Sequence, residues 1–352
     1  MHAEGPTVAG RRQPARATGA HDAVLYADDG EFVVAAGRHL REGAERGEKL
    51  VLACTGERAD LLLDSVDGLP AVTRLGNDDT YLTPCGAMDS YLAATRRAVA
   101  SGATGLRVVG ELPPGTRHHP HTWPGWSRYE AVVNHVLTTV PFHALCAYDS
   151  LQTDHGLLAA VRSTHARMWR AGAPQDNPDY LDPETCLARW SDPPVLPVEE
   201  SPPLLEVTGI RDLAGARRAR SRVGALLNGH DTALEPHAEH LPPADPTLVE
   251  VADYLVGIDE VVVNALTHGA GTATLRFWAD HDSVVTTVTD AGAGFDDPYR
   301  GWTTRSVTGP DGRTRRELGL WLARQTCDDL TFRRDDEGFT VRLRADLDVR
   351  FP

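Results

Sequence analysis

The chain has 352 residues, enough for two domains, and a formal net charge of -15 from 35 basic and 50 acidic side chains. A charge of this sign repels nucleic acid and anionic membrane surfaces, which excludes both as direct partners in a first hypothesis. The five cysteines show no C-x-x-C spacing, which favours reduced thiols in a cytoplasmic protein over a disulfide framework or a zinc ribbon.

The first twenty residues carry arginines among glycine, proline and alanine. They lack the apolar centre of a signal peptide, and no later apolar run approaches the length of a membrane span. We therefore expect residues 1–20 to form a disordered tail.

Apolar runs and amphipathic segments alternate from residue 21 to residue 165. The runs predict strands and the segments predict helices, the first of which Asp28 or Asp29 can cap. This alternation indicates an α/β domain with a mainly parallel sheet. The predicted strands are 21–26, 49–54, 106–110 and 142–148, and the predicted helices include 58–65, 88–100, 127–140 and 156–165.

Polar side chains stand at the ends of these predicted strands. Glu111 follows one strand, and Cys146 and Asp149 lie at the end of another. No glycine loop of a phosphate-binding kind follows any strand, whereas ligands of open α/β sheets bind beyond the carboxyl ends of the strands. We therefore predict a small-molecule ligand rather than a nucleotide here, with Glu111, Cys146, Asp149 and His21 as its contacts.

Three histidines, His118, His119 and His121, cluster in a loop rich in proline and glycine. Grouped imidazoles can bind zinc or copper. Because no carboxylate or thiol stands at close spacing, we interpret this segment as a solvated loop.

Several short motifs of this first region occur in a characteristic order. They are His21 through Tyr26, Arg107 through Glu111, Tyr129 and Glu130 with Asn134, Cys146 through Asp149, and His165. Together they resemble the MEDS domain, a sensory module associated with small-molecule sensing. The resemblance implies a fold similar to the RecA and KaiC ATPases, without a working phosphate loop.

A proline-rich segment at residues 191–203 interrupts all periodicity. Such a segment is extended and semi-rigid, which makes it the predicted boundary between a sensor domain at 21–190 and a second domain at 204–352. We expect the two halves to fold independently.

The second region starts with a short strand and an arginine-rich helix at about 212–227, whose basic residues we expect to face solvent. A proline-rich break at 229–246 precedes a long helix that Thr247 can cap. Strands at 272–279 and 283–289 predict a hairpin, and those at 329–334 and 339–345 close the sheet. The polar, glycine-punctuated stretch 296–316 is typical of a mobile lid.

The long helix sets Glu260 and Asn264 four residues apart, on one helical face. Taken alone, this pattern also fits an amphipathic helix with two solvated polar residues. Asp290 follows, with Gly292 and Gly294 after it, and Gly319 opens a later apolar-periodic helix. This order resembles the GHKL ATPases, and within them the anti-sigma-factor serine kinases of bacterial stress and sporulation switches.

The resemblance implies an α+β two-layer sandwich that binds ATP and Mg²⁺. Asn264 would hold Mg²⁺ through its amide oxygen, and Glu260 would act as the general base or orient the attacking hydroxyl. Asp290 would accept a hydrogen bond from the adenine amino group. Gly292 and Gly294 would allow the turn beside the base, and Gly319 would bring backbone N–H groups to the phosphates.

Two positions depart from the family pattern. Glu317 stands where the family usually has a glycine, and a carboxylate beside a triphosphate repels it unless the side chain turns outward. Phe339 stands where the family usually has the threonine that helps Asp290 bind adenine, with Thr340 one position late. Both departures lower the expected affinity for ATP.

These features predict a signal-responsive anti-sigma regulator. Its sensor domain would control an ATP-dependent serine/threonine kinase domain, which sequesters a sigma factor or phosphorylates an antagonist protein. The related kinases tend to dimerise, and the sequence leaves the oligomeric state of this chain open between monomer and homodimer. The alternative is a catalytically inactive binding module with a degenerate nucleotide pocket. A sensor histidine kinase ranks last, because neither His39 nor His165 has the acidic neighbour of a phosphoacceptor.

Overall fold

The computed structural model describes residues 19–75, 83–111, 123–189, 195–231, 250–280, 283–308 and 314–347. Several predicted features lie outside these residues. They are the tail up to residue 18, the loop with His118, His119 and His121, the cap Thr247, and most of the break at 229–246.

A seven-stranded sheet forms the centre of the first domain. Its strands are β1 (Ala20–Tyr26), β2 (Lys49–Ala53), β3 (Val72–Arg74), β4 (Leu106–Gly110), β5 (Phe142–Asp149), β6 (Arg167–Arg170) and β7 (Ala173–Asp176). They lie side by side in the order β3-β2-β4-β5-β1-β6-β7, and only the β6 and β7 pair is antiparallel. The mainly parallel sheet is confirmed, whereas a likeness to the RecA and KaiC ATPases stays a prediction.

Helices cover both faces of this sheet, as parallel strands require of their crossover connections. One face packs against α1 (Asp29–Glu45) and α2 (Gly56–Ser65) through a core that includes Phe32, Leu40 and Leu62. The opposite face packs against α3 (Pro84–Ala100), α4 (Trp123–Val136) and α5 (His155–Thr164). A short helix, α6 (Pro183–Ala188), completes the domain.

Local sequence signals explain where these helices start and stop. Asp28 caps α1 as predicted, since its carboxylate accepts a hydrogen bond from the backbone N–H of Glu31. Pro84 opens α3 four residues earlier than the periodicity predicts, a position that suits proline because the first helical N–H needs no partner. Helix α4 ends at Val136, where a single 3₁₀ turn, Leu137–Thr139, replaces its predicted last turn.

The second domain is a two-layer α+β sandwich. An antiparallel sheet has the order β13-β14-β10-β9-β8, formed by β8 (Leu205–Ile210), β9 (Ala273–Ala279), β10 (Val284–Asp290), β13 (Asp329–Asp335) and β14 (Gly338–Ala345). Its apolar face packs against α7 (Leu213–Asp231), α8 (Val251–His268) and α9 (Gly319–Gln325). This architecture fits the fold that the GHKL resemblance implies.

A separate hairpin lies within the stretch that the sequence predicts as a lid. Strands β11 (Arg305–Thr308) and β12 (Thr314–Glu317) pair antiparallel, with Arg305 opposite Glu317. Most residues of both strands are polar, so apolar periodicity does not predict these strands.

Helix α8 is buried along one apolar stripe. Tyr254, Ile258, Val261 and Val262 are all at most 1% exposed. Gly257 lets α9 approach, because a Cβ atom there would lie 2.3 Å from Oγ1 of Thr326. The helix ends at the predicted cap, Gly269, and the arginines of α7 face solvent as predicted.

Part of the linker packs against the outer face of the second sheet. The turn Pro197–Glu200 places Glu199 2.8 Å from the Arg342 guanidinium, and Nε1 of Trp278 donates a hydrogen bond to the Ser201 carbonyl. The end of the linker therefore belongs structurally to the second domain.

The two domains contact each other through α3 and α4 of the first and α9 and β13 of the second. Nη1 of Arg128 lies 2.5 Å from Oδ1 of Asp329 in a buried ion pair. Nε1 of Trp321 donates a hydrogen bond to Asp89, and the Trp302 side chain lies within the apolar core of the first domain. Independent folding of the two halves stays a prediction.

Two expectations from composition can be compared with the described residues. All five cysteines are free in the described residues. None of the helices in the described part of the chain combines the length and the apolarity that crossing a membrane requires.

Candidate functional site

Glu260 and Asn264 lie one turn apart on α8 and both point at the start of α9. A Cβ atom added to Gly319 would lie 3.0 Å from Oε2 of Glu260 and 3.0 Å from Nδ2 of Asn264. Both polar side chains are half-buried. The glycine therefore keeps open the narrow space in which the carboxylate and the amide converge.

The amide of Asn264 has unused hydrogen-bonding capacity. Its Nδ2 is buried and makes no hydrogen bond within the described residues. A buried amide left in this way costs free energy, unless a ligand supplies a partner. Together with the space above Gly319, this orphaned N–H donor fits an acceptor such as a phosphate oxygen of a nucleotide.

Glu260 has an environment that suits proton transfer. Burial, and then the charge of neighbouring Asp259, raises the pKa of Glu260 above its ordinary value. A carboxylate whose pKa is raised toward neutral pH is a stronger base, and it therefore accepts a proton more effectively in general-base chemistry. The residue predicted as the base therefore has the electrostatic setting of one.

Asp290 ends β10 with its side chain buried. Its Oδ1 accepts a hydrogen bond of 2.7 Å from the backbone N–H of Gly292. Two glycines leave room around this carboxylate, because a Cβ atom on Gly269 or on Gly292 would approach Oδ1 to 2.4 Å or 2.7 Å. Glu260, Asn264, Asp290 and the glycines thus lie on the same side of the sheet.

Phe339 takes the place of the threonine that the family pattern puts beside Asp290. The two residues pair across β14 and β10, so their side chains point to the same face of the sheet. Thr340 points to the opposite face, where its hydroxyl oxygen lies 2.8 Å from that of Thr289. Thr340 therefore does not replace the absent threonine.

The ring of Phe339 also explains one glycine of the motif. Gly294 has a φ of +62°, and a Cβ atom there would lie 2.2 Å from Cδ2 of Phe339. The ring packs edge-on against Phe295, with 5.0 Å between ring centroids. The motif glycine thus serves both the left-handed backbone and the close approach of an aromatic ring.

Glu317 carries its own counter-ion. Its Oε2 lies 2.8 Å from Nη2 of Arg300, and both side chains are partly exposed. The arginine comes from the segment predicted as a lid. The carboxylate that departs from the family pattern is therefore held in an ion pair.

The predicted sensor residues fall into two places in the first domain. Glu111 and Asp149 line a pocket of about 490 Å³ together with Arg58, on the face covered by α1 and α2. The hydroxyl of Tyr26 donates a hydrogen bond of 2.8 Å to Glu111. Cys146 lies on the other face, because residues three apart on a strand point to opposite sides of the sheet.

His21 and Cys146 meet on that other face, beside α4. Nε2 of His21 lies 3.2 Å from Sγ of Cys146 and 3.0 Å from Oε2 of Glu130. Nε2 of His165 lies 3.6 Å from the same carboxylate oxygen. These four side chains form a compact group that we call the His-Glu-Cys-His cluster.

Burial dominates the electrostatics of this cluster. It lowers the pKa of His165 to about 3, an effect that the charge of His21 strengthens, and it raises the pKa of Cys146 well above its ordinary value. Burial alone would also raise the pKa of Glu130, but the neighbouring rings of His21 and His165 hold it below its ordinary value. A neutral imidazole thus lies beside an ionised carboxylate.

Glu130 and His165 belong to the motifs in the sequence but were not predicted as site residues. Glu130 lies inside a helix, and His165 lies between α5 and β6. Only the fold brings them to His21 and Cys146. The available signal was that both residues belong to the motifs that resemble the MEDS domain, since the residues before His165, Arg162 through Thr164, form no apolar pattern.

Comparison with known protein families supports both halves of this description. Residues 20–166 match the MEDS family, described as the methanogen/methylotroph, DcmR sensory domain. Residues 217–345 match the histidine kinase-like ATPase domain. No curated protein matches the chain. The chain therefore carries a MEDS sensory domain followed by a histidine kinase-like ATPase domain of the GHKL type, in the order that the motifs predict.

Proposed function

We propose that this protein is a bacterial anti-sigma regulator in which the MEDS domain controls an ATP-dependent serine/threonine kinase domain. The observation that carries the proposal is the convergence of Glu260 and Asn264 on Gly319, in a domain of the ATPase type. A sensory domain in the same chain supplies the input.

The residues of the ATPase domain divide the work of phosphoryl transfer. When bound, Mg-ATP supplies the phosphoryl group and neutralises part of its charge. Asn264 would hold the metal through its amide oxygen, and Asp290 would hold the adenine amino group. Glu260 would accept the proton of the serine or threonine hydroxyl of the substrate protein, which its raised pKa favours.

The ion pair between Arg300 and Glu317 supports nucleotide binding at this site. An unpaired carboxylate near the phosphates would repel them by Coulomb interaction. Because the guanidinium lies 2.8 Å from Glu317, the net charge of the pair is zero. Glu317, in place of the family glycine, therefore lowers ATP affinity less than the sequence alone suggests.

The domain interface supports control of the ATPase domain by the sensor. Helix α9 begins at Gly319 in the nucleotide site, and two of its side chains contact Asp89 on α3. A movement of α3 would therefore act on the helix that borders the phosphates. A small-molecule ligand in the MEDS domain is the proposed input.

The proposed partners follow from the resemblance to anti-sigma-factor kinases. They are a sigma factor, which the domain would sequester, and an antagonist protein, which it would phosphorylate. The strongly acidic chain makes direct nucleic-acid binding a poor alternative. A homodimer formed through the ATPase domain is part of the same proposal.

One observation favours a second candidate, a binding module without catalysis. Phe339 removes a polar group beside Asp290 and fills the space with a ring. A domain that has lost ATP could still sequester a sigma factor through its surface. The two candidates make different predictions for Glu260 and Asn264. In a kinase, replacing either residue alters ATP binding or phosphoryl transfer, whereas in a binding module neither replacement changes function.

Transfer of labelled phosphate from ATP to candidate antagonist proteins tests the proposal. We expect Asn264→Ala to abolish ATP binding and transfer together. Glu260→Gln should slow transfer by about 10²–10⁴-fold with little change in ATP affinity, because a base acts in the transition state. Asp253→Asn, an exposed acid on the same helix, is the matched control and should behave as the parent does.

Sequestration of the partner should survive these changes. If the parent neither binds ATP nor transfers phosphate, yet binds a sigma factor or antagonist, the binding module replaces the kinase. A transfer rate that does not change in Glu260→Gln would likewise exclude the assigned base.

A further inference from the structure

The His-Glu-Cys-His cluster is unusual for a buried core because it gathers four groups that can donate a lone pair. One atom from each of His21, Glu130, Cys146 and His165 lies within 4.8 Å of the others. Three of the residues are at most 4% exposed, and Cys146 is partly buried. A core that needed only packing would place apolar side chains here.

In each histidine the outer ring nitrogen, Nδ1, points away from the centre of the cluster and contacts a neighbouring group. Nδ1 of His165 donates a hydrogen bond of 2.8 Å to the Val161 carbonyl. Nδ1 of His21 faces Oδ1 of Asn134 at 3.4 Å, and the Asn134 amide nitrogen donates to the carbonyls of Glu130 and Thr164. The outer nitrogen of His165 therefore carries its proton, and Nε2 of His165 presents a lone pair to the centre of the cluster. Nε2 of His21 lies 3.0 Å from Oε2 of Glu130 and presents its lone pair once a metal displaces the proton between them.

Glu130 is held in a comparable way. Its Oε1 accepts a hydrogen bond of 2.5 Å from the Tyr148 hydroxyl. This contact leaves Oε2 directed at the two imidazoles. Neither Oε2 of Glu130 nor Nε2 of His165 has a well-aligned hydrogen-bond partner within the described residues.

The resulting arrangement sets acceptor against acceptor. Oε2 of Glu130 and Nε2 of His165 lie 3.6 Å apart with no proton between them in this tautomer. A buried acceptor without a donor destabilises the fold, and more so when it is charged. A cation at the centre would satisfy all four lone-pair donors at once.

We propose that His21, Glu130, Cys146 and His165 form a binding site for a divalent transition-metal ion of the Zn²⁺ type. Two imidazoles, a carboxylate and a thiolate are the ligands that zinc takes in tetrahedral sites, at about 2.0–2.3 Å from the metal. The sulfur ligand disfavours Mg²⁺ and Ca²⁺. On binding, the Cys146 thiol loses its proton to solvent and its sulfur forms the fourth bond to the metal.

The surroundings of the cluster fit a single ion with a route of entry. A small cavity of about 20 Å³ is lined by His21, Glu130 and Cys146, which is space for about one water-sized particle. His21 and Asn134 also line an open pocket of about 670 Å³ on the surface. Small rotations of the side chains would bring the ligands to the metal from their present separations.

The site also lies next to the domain interface. Glu130 follows Arg128 by two residues on α4, and Arg128 forms the buried ion pair with Asp329 of the ATPase domain. A metal that fixes the position of Glu130 would therefore bias the docking of the two domains. This regulatory role rests on the proposed function, whereas metal binding itself does not.

Metal content and cobalt substitution of the full chain test the site without any nucleotide. We expect about one Zn²⁺ per chain by mass spectrometry after dialysis, and a thiolate-to-cobalt charge-transfer band when Co²⁺ replaces it. Cys146→Ser should lose this band, whereas Cys54→Ser, which removes another buried thiol of the same domain, should keep it. Asn134→Ala should weaken affinity by about 10–100-fold and retain the band, because this residue only positions His21.

Two results would overturn the proposal. One is a folded parent protein that takes up neither Zn²⁺ nor Co²⁺ in a titration. The other is Co²⁺ binding without a thiolate band, or with a band that persists in Cys146→Ser. ATP binding to the second domain is measured separately, so failure of the metal site leaves the proposed kinase function untouched.

Discussion

Replacing Arg128 by alanine tests how the sensory domain holds the ATPase domain. Nη1 of Arg128 on α4 lies 2.5 Å from Oδ1 of Asp329 at the start of β13, and the two side chains are only 7% and 6% exposed. The substitution leaves a buried carboxylate without its cation. We therefore expect the interface to open while the two cores remain folded.

The size of this effect follows from the burial of the pair. Removing one partner of a buried ion pair costs about 3–5 kcal/mol, because the remaining charge stays desolvated. With about 1.4 kcal/mol for each factor of ten, the equilibrium between docked and undocked domains shifts by about 10²–10⁴-fold. Undocking relieves this cost, since it returns Asp329 to water.

Small-angle scattering and limited proteolysis of the full chain measure the opening. Arg128→Ala should increase the radius of gyration and the cleavage rate near residues 191–203. The double variant Arg128→Met with Asp329→Leu should close again, because apolar side chains can replace a buried ion pair. Arg38→Ala is the control, since its pair with Glu42 is 53% and 31% exposed and contributes about 1 kcal/mol or less. An Arg128→Ala protein as compact and as resistant as the parent would refute the reasoning.

Three further predictions concern the nucleotide site. Glu317→Gly should raise ATP affinity by about fivefold or less in calorimetry, because it removes a half-exposed charge worth about 1 kcal/mol and frees Arg300; an unchanged or weaker affinity would contradict this. The transfer rate should fall on acidification through the raised pKa of Glu260, at a higher pH than for an ordinary carboxyl group, since only the deprotonated form accepts a proton. Glu260→Gln should lose that dependence, and a retained one would assign it to another group. Phe339→Thr should restore a hydroxyl beside Asp290 and raise ATP affinity in calorimetry. It should also lower the free energy of unfolding by about 3 kcal/mol because the buried ring is lost, which a denaturant titration measures. Unimproved ATP binding would show that position 339 does not limit the affinity.

The parts of the nucleotide site that lie within single elements could be predicted from the sequence. Glu260 and Asn264 share a helical face because of their spacing, and the structure places them together as that spacing requires. The family matches confirm the order of the two domains. Local periodicity was sufficient here because each motif carries its own geometry.

The sensory site could be predicted only in part. The sequence predicts Cys146 and Asp149 at the end of one strand, yet residues three apart on a β-strand point to opposite faces of the sheet. Glu130 and His165 reach Cys146 from a helix and a loop that are distant in sequence. Their meeting depends on how α4 packs on the sheet, and no local pattern contains that information.

The domain interface was not predicted at all. The Pro-rich linker indicated two separate halves, whereas Trp302 of the second domain lies within the core of the first. An interface of this kind joins side chains hundreds of positions apart, such as Asp89 and Trp321. Their individual residue types give no sign of a partner.

Calorimetric titration of the full chain with ATP, in the presence and absence of Mg²⁺, tests the central claim most directly. We predict one Mg²⁺-dependent nucleotide site in the parent protein and its loss in Asn264→Ala, while Asp253→Asn binds as the parent does. A folded parent protein that binds no nucleotide, or one whose binding does not change in Asn264→Ala, would contradict the account.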